Sequence, residues 1–207
     1  MPLAASQLGM MISTQLINNI LIRVGNENYV KVYAVIIQLS MTAMAIYDGV
    51  GQAAQPIIAA AVGAKQKERI QRAFRYALRL VIAGTLILTA LYIVFVVPIL
   101  WLFSIKGGDL LNLSRYGIRI YALSVPLMGV NTLIMYYFQA QEKTALAIAV
   151  SLISGSVLLV LTLMGLIAVF GENGIWFSWV IAQVLSMGII LAMYKGANRE
   201  RSLLNAE

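Results

Sequence analysis

The sequence contains neither cysteine nor histidine. Disulfides, thiol nucleophiles, Cys/His zinc sites and imidazole general bases are thereby excluded, and any proton chemistry falls to carboxylates. Charge is scarce as well, at 11% of residues, against about 25% in a soluble domain. No GxSxG, HExxH or glycine-rich phosphate loop occurs. A serine hydrolase, a zinc protease and a nucleotide-driven motor therefore have no residues to work with. No basic residue precedes the first apolar run, Arg23 being the first, so no cleavable leader is visible. The expectation from this abrupt start is that Met1 is an internal methionine of a longer protein.

What is abundant is apolar surface, at 61% hydrophobic residues. One crossing of a bilayer needs about 20 apolar residues, and six segments meet that length, at about 3–22, 33–62, 76–103, 118–137, 145–170 and 175–194. The expected fold is an all-α membrane protein, a six-transmembrane-helix bundle forming one domain over residues 1–207. Short polar joints separate the spans, among them a basic loop at 64–79, and a tail follows at 195–207. The net charge of +7 is not a nucleic-acid signature, because the cations sit between apolar helices. One side collects Lys65, Lys67, Arg69, Arg72, Arg75, Arg79, Lys143, Lys195, Arg199 and Arg201, ten in all, against five on the other side: Arg23, Lys31, Lys106, Arg115 and Arg119. Both termini are thus expected in the cytoplasm. Ile70, Phe74 and Leu78 recur within the basic run, which reads as an amphipathic helix on the inner surface ahead of the third span.

The most informative stretch runs from Tyr47 to Arg79, where an apolar helix passes directly into the basic loop. Asp48, Gln52 and Gln55 share one face of it, and Gln38 extends that face upstream. A polar stripe within lipid must face protein or water. Asp48 lies 15 residues beyond Tyr33, roughly 22 Å along a helix and therefore expected deep in the hydrocarbon layer. An intramembrane acid costs about 2.5 to 3.5 kcal/mol on insertion scales, which marks Asp48 as the coupling-ion candidate. Helix one adds Gln7, Thr14 and Asn18 on one face, with Gln15 and Asn19 beside them. Helix four adds Ser124, Met128, Asn131 and Met135, with Gln139 at its end. Gln7, Thr14, Asn18, Gln38, Gln52, Gln55, Asn131 and Gln139 are accordingly the substrate-cavity candidates. Interspersed methionines and tyrosines suit a wall of broad specificity, because thioethers adapt their shape and aromatic faces attract cations. The last two spans read as scaffold, since Ser151xxxGly155 and Gly188xxxAla192 permit close helix packing. Pro56, Pro98 and Pro126 are expected bends.

One enzymatic pattern is superficial. Tyr47-Asp48 and Gly107-Gly108-Asp109 resemble the YD and GxGD pairs of intramembrane aspartyl proteases, but Lys106 replaces the first glycine and no Pro-Ala-Leu follows. The two acids are also expected about half a bilayer apart, too far to share a proton. No enzymatic role is expected.

The run Gly51-Gln52-Ala53-Ala54-Gln55-Pro56-Ile57-Ile58, then Gly63-Ala64-Lys65-Gln66 and Arg69, resembles the second-half signature of the multidrug and toxic compound extrusion (MATE) transporters. Tyr136-Tyr137-Phe138-Gln139-Ala140 and Gly174-Ile175-Trp176-Phe177-Ser178 agree with it. The resemblance covers nearly all of this chain but only half of a family member. It implies the C-terminal six-helix lobe of a twelve-helix carrier and secondary active efflux of organic, mostly cationic compounds by antiport against H+ or Na+. No cofactor beyond that coupling ion is implied. The implied partners are a missing N-terminal half, in the same polypeptide or as a homodimer, the lipid bilayer and small organic cations. The implied location is the inner, cytoplasmic membrane. Two departures stand out. Ser151-Leu152-Ile153-Ser154 lacks the arginine that many members carry in a serine-leucine-arginine run, and the first and fourth spans lack the acids that hold the coupling cation in some members. A flippase of lipid-linked saccharides, from the same superfamily, would want a more cationic cavity. A non-transporting assembly subunit would have no use for Asp48.

Overall fold

Backbone groups in hydrocarbon have no water to bond, so an apolar chain of this length has only helices or a closed barrel open to it. The structure is a computed structural model that describes residues 11, 14–23 and 27–203, and it contains helices and no strand among them. Residues 14–23 are helix α1. After it come α2 (Glu27–Gly63), α3 (Lys67–Val94), α4 (Val96–Leu102), α5 (Gly108–Ala122), α6 (Val125–Ala140), α7 (Thr144–Leu152), a π-helical segment Ile153–Val157, α8 (Leu158–Phe170) and α9 (Gly174–Leu203). Four helical stretches are long and apolar enough to cross a membrane: Glu27–Gly63, Lys67–Val94, Gly108–Ala140 and Leu158–Met193, the last of which folds back on itself around Gly171. The chain is a multi-pass membrane protein.

Prolines set the breaks. Pro98 cannot donate to Val94, and the third span is interrupted just there, with Phe95 separating α3 from α4. Pro126 cannot donate to Ala122, where α5 ends. Pro56 is different: α2 continues through it.

Three boundaries differ from the expectation. The fourth span starts at Gly108 instead of 118, because the polar residues before Ile118 belong to an amphipathic helix. Ser114, Gly117 and Tyr121 of that helix face inward, and a Cβ on Gly117 would lie 2.6 Å from the Trp176 ring of α9. The basic run at 64–79 is not a separate surface helix, for α3 begins at Lys67 and continues without interruption into the apolar span. The tail expected from Lys195 is helical as far as Leu203.

α6 occupies the middle of the bundle. It packs against α2, α3, α7 and α9, and residues 133–138 are buried without exception. Gly129 brings α2, α3 and α6 together, since a Cβ there would lie 2.8 Å from Val81 and 2.9 Å from Thr85, beside Tyr47. Gly188 and Ala192 were expected to pack against a helix. Both are exposed on α9, and a Cβ on Gly188 would meet nothing within 4 Å.

Candidate functional site

The helices present two kinds of outer surface. α3 exposes Leu80, Leu86, Ile87 and Val94, α8 exposes Leu161, Met164 and Val169, and α9 exposes Val184, Leu185 and Ile189. These bulky apolar faces suit lipid. The exposed face of α2 instead carries Gln38, Met41, Thr42, Ala45, Gly49, Gln52 and Ala53, with Asp48 half-buried at its edge. On α1, Gln15 and Asn19 are exposed and Thr14 and Asn18 half-buried. Amides, hydroxyls and very small side chains leave room as well as hydrogen-bonding capacity. Such a face in a membrane belongs to a water-filled space or to an opposing protein wall.

Asp48 and Gln52 meet Tyr136 of α6 at this face. Gln52 Nε2 donates to Tyr136 Oη at 3.4 Å, and Asp48, one turn before Gln52, lies beside the same phenol. Gly51 makes the arrangement possible, because the Tyr136 ring lies where its Cβ would be. One turn of α2 therefore supplies the acid, the amide and the gap that admits the ring.

Depth follows from the register of α2 on α3. Ile46 lies against Gly84, with 3.1 Å from its Cγ2 to the position of a Cβ there, and Tyr47 lies near the Val81 and Thr85 level. Asp48 is consequently level with about residue 82 of α3, only about 5 Å along the axis from Arg79. The exposed face of α3 changes from arginine to bulky apolar side chains at 79–80. By this register Asp48 lies about one turn further into the span than Arg79 and three residues from the midpoint of α2.

The remaining candidates fall in different places. Gln55 is half-buried further along α2. Gln139 is half-buried at the end of α6, where its amide nitrogen has no partner among the described residues. Gln7 lies outside the described residues. Asn131 is fully buried, and its Nδ2 donates to Gln183 Oε1 at 2.9 Å. Gln183 Nε2 in turn donates at 3.0 Å to the Ser154 carbonyl in the π-helical segment. The face of Ser124, Asn131 and Met135 points into the bundle because α6 is enclosed on all sides. Sequence reasoning missed one residue of these networks and one contact. Tyr136 stands among the tyrosines of the expected cavity wall, but its contact with Gln52 was not foreseen. Gln183 was hidden in a span read as scaffold, although an amide there was the available signal.

Among the described residues no group of His, Cys, Asp and Glu could hold a metal ion. Asp48 is the one carboxylate on the polar face of α2 between Glu27 and Gly63.

The fold is shared with solved MATE transporters. A structure of a multidrug resistance MATE family transporter of the MOP superfamily in its inward-facing conformation matches with a TM-score of 0.88 at 20% identity, over 99% of this chain and 47% of that one. A MATE structure in the bent conformation matches with a TM-score of 0.87 at 21% identity, over 100% and 46%. An outward-facing conformation of a multidrug resistance MATE family transporter matches with 0.86 at 20%, over 96% and 46%. The chain therefore spans less than half the length of the transporters whose fold it shares. No curated protein matches it. The MatE family model matches residues 2–164, most of the chain, and includes the Asp48, Gly51, Gln52 and Tyr136 cluster; the chain belongs to the MatE family of transporters.

Proposed function

We propose that this chain forms one lobe, the C-terminal one, of a secondary active exporter of amphipathic organic cations, coupled to inward movement of H+ or Na+. The observation that carries the proposal is the polar, small-residue face of α2, open on a lobe whose α3, α8 and α9 faces are bulky and apolar beyond Arg79. A second six-helix lobe, in the same polypeptide or a second copy, would close a cavity over that face, and alternating access would follow from rocking one lobe against the other. Asp48 supplies the negative charge that draws a cation to such a cavity. The substrate-wall residues are Gln38, Gln52 and Gln55 of α2 with Thr14 and Asn18 of α1. Gln139 stands at the end of α6 nearest the basic side. Orientation follows the basic residues, with the Gly63–Lys67 turn in the cytoplasm of a cell whose inner membrane holds the protein.

A saccharide-lipid flippase is not favoured, since the exposed face of α2 carries no Lys or Arg between Lys31 and Gly63. The test is uptake of a lipophilic organic cation, tetraphenylphosphonium, into proteoliposomes under an imposed pH or Na+ gradient. The chain reconstituted with a matching first lobe is expected to give gradient-dependent uptake, and the chain alone none. Robust uptake by the chain alone points to a pair of identical lobes. Failure of either gradient to drive uptake in the two-lobe protein removes the antiport reading.

A further inference from the structure

The exposed surface of α3 carries a second feature that transport does not use. Residues 65–79 hold six cations, Lys65, Lys67, Arg69, Arg72, Arg75 and Arg79, against one carboxylate, Glu68. Arg72, Arg75 and Arg79 are exposed. None of them forms an ion pair among the described residues, where the one salt bridge is Lys31–Glu27. Arg75 Nε donates to the Gln71 carbonyl at 3.4 Å, and the Arg79 guanidinium lies 5.9 Å from the Tyr76 ring centroid. Their charge is thus unneutralised by protein.

These arginines are also in line with the apolar outer face of the same helix. At about 100° per residue, Arg72, Arg75 and Arg79 fall in one sector of about 120° together with Ile87 and Val94. Ile87 is 63% and Val94 69% exposed. Because α3 is continuous from Lys67 to Val94, the stripe changes from cationic to apolar without a turn or a kink. Tyr76, 59% exposed, sits among the arginines, where an amphipathic ring suits the level of the headgroups. A single molecule that is anionic at one end and a long hydrocarbon at the other matches both halves of this stripe. From Arg79 to Val94 is about 22 Å of helix, longer than the roughly 15 Å of one leaflet's hydrocarbon.

We propose that the outer face of α3 is a docking surface for anionic phospholipid, with the headgroup phosphate held by Arg72, Arg75 and Arg79 and an acyl chain laid along Leu86 and Ile87. Glu68, one turn before Arg72, is exposed and tempers the field without reversing it. The polar face of α2 does not share in this, so lipid and transported cation would occupy different surfaces of the lobe.

The test uses the whole chain in phosphatidylcholine vesicles containing a trace of spin-labelled lipid. Electron paramagnetic resonance then gives the fraction of lipid immobilised on the protein. Phosphatidylglycerol is expected to associate about fivefold more strongly than phosphatidylcholine, the scale set by interfacial basic residues. Arg72→Gln, Arg75→Gln and Arg79→Gln combined should abolish the preference, whereas Arg→Lys at all three should keep most of it. Lys106→Gln with Arg119→Gln, on the opposite side, should leave it intact. Circular dichroism on the triple Gln variant checks that the exposed substitutions leave the helices in place. Three results would overturn the proposal: equal association of the two lipids, a preference that survives the triple Gln change, or displacement of the labelled lipid by millimolar inorganic phosphate, which would make the cluster a general anion site.

Discussion

Thr89 on α3 supplies the hydrogen bond that Pro126 takes from Ala122. Its Oγ1 donates to the Ala122 carbonyl at 3.0 Å, and that carbonyl is the acceptor four residues before the proline. The break between α5 and α6 is thus satisfied by a different helix, and the bend is tied to the α3 packing. Thr89→Val removes the donor while keeping the shape, and should cost about 1 kcal/mol. Pro126→Ala offers Ala122 a backbone N–H again, so the Thr89→Val penalty should shrink in the Pro126→Ala background. A double-mutant cycle on thermal unfolding in detergent measures this coupling; additive losses would show that Thr89 is not acting on the freed carbonyl.

Gly51 and Gly49 differ by two residues and should differ sharply in tolerance. Gly51→Ala drives a methyl into the Tyr136 ring, and overpacking of this kind costs about 1–3 kcal/mol. Gly49→Ala meets nothing within 4 Å and should be neutral or slightly stabilising, since alanine is the better helix former. Melting temperatures of the two variants decide it. Gly51→Ala combined with Tyr136→Leu should recover part of the loss.

Much of the helix inventory was legible, because spans in lipid are apolar runs of known length. The stripe Asp48, Gln52 and Gln55 was legible for the same reason, as polar residues among apolar ones declare a face. Partners across the bundle were not. Nothing in the periodicity of α2 points to Tyr136, 84 residues away from Gln52; the contact exists because Gly51 admits a ring. The face holding Asn131 was read as a cavity wall, yet a heptad pattern of polar residues is the same whether a face lines a cavity or a protein interior. Only the packing of α6 amid four other helices distinguishes them. The late start of the fourth span was a similar confusion, since an amphipathic half-buried helix looks like a loop when judged by polarity alone.

Orientation is open to a direct check. A reporter active only in the cytoplasm should give signal when fused after Arg72 or Lys143, and none after Asn28 or Asp109, as the ten-to-five division of basic residues requires. The opposite pattern would reverse the direction in which Asp48 meets protons.

Asp48 and Tyr136 make separable contributions. In the two-lobe transporter reconstituted in liposomes, Asp48→Asn keeps the shape and most hydrogen bonds but abolishes titration, and substrate exchange driven by a pH gradient should fall to its gradient-free level. Tyr136→Phe keeps the charge and removes the phenol beside Asp48 that accepts from Gln52, so it should shift the pH dependence while preserving a gradient response. Unchanged gradient-driven exchange in Asp48→Asn would make the carboxylate structural and send the coupling group to the opposing lobe.

The Asn131, Gln183 and Ser154 chain tests whether an intramembrane amide is there for the fold or for the substrate. Gln183 bridges α6 and the π-helical segment, accepting from Asn131 and donating to the Ser154 carbonyl. Asn131 Oδ1 has no partner among the described residues, so the pair is already short of one bond. Gln183→Leu would strand both the Asn131 amide and the Ser154 carbonyl in a buried position, at a cost of about 1–3 kcal/mol. Replacing both amides with leucine removes the need for a partner on the Asn131 side, and the double variant should be more stable than Gln183→Leu alone. Substrate competition profiles should be the same in Asn131→Leu/Gln183→Leu as in the parent, because neither residue reaches the open face of α1 and α2. A changed order of substrate preference in a double variant of normal stability would instead put Asn131 in contact with the transported molecule, through an opening between α6 and α9 that this conformation keeps shut.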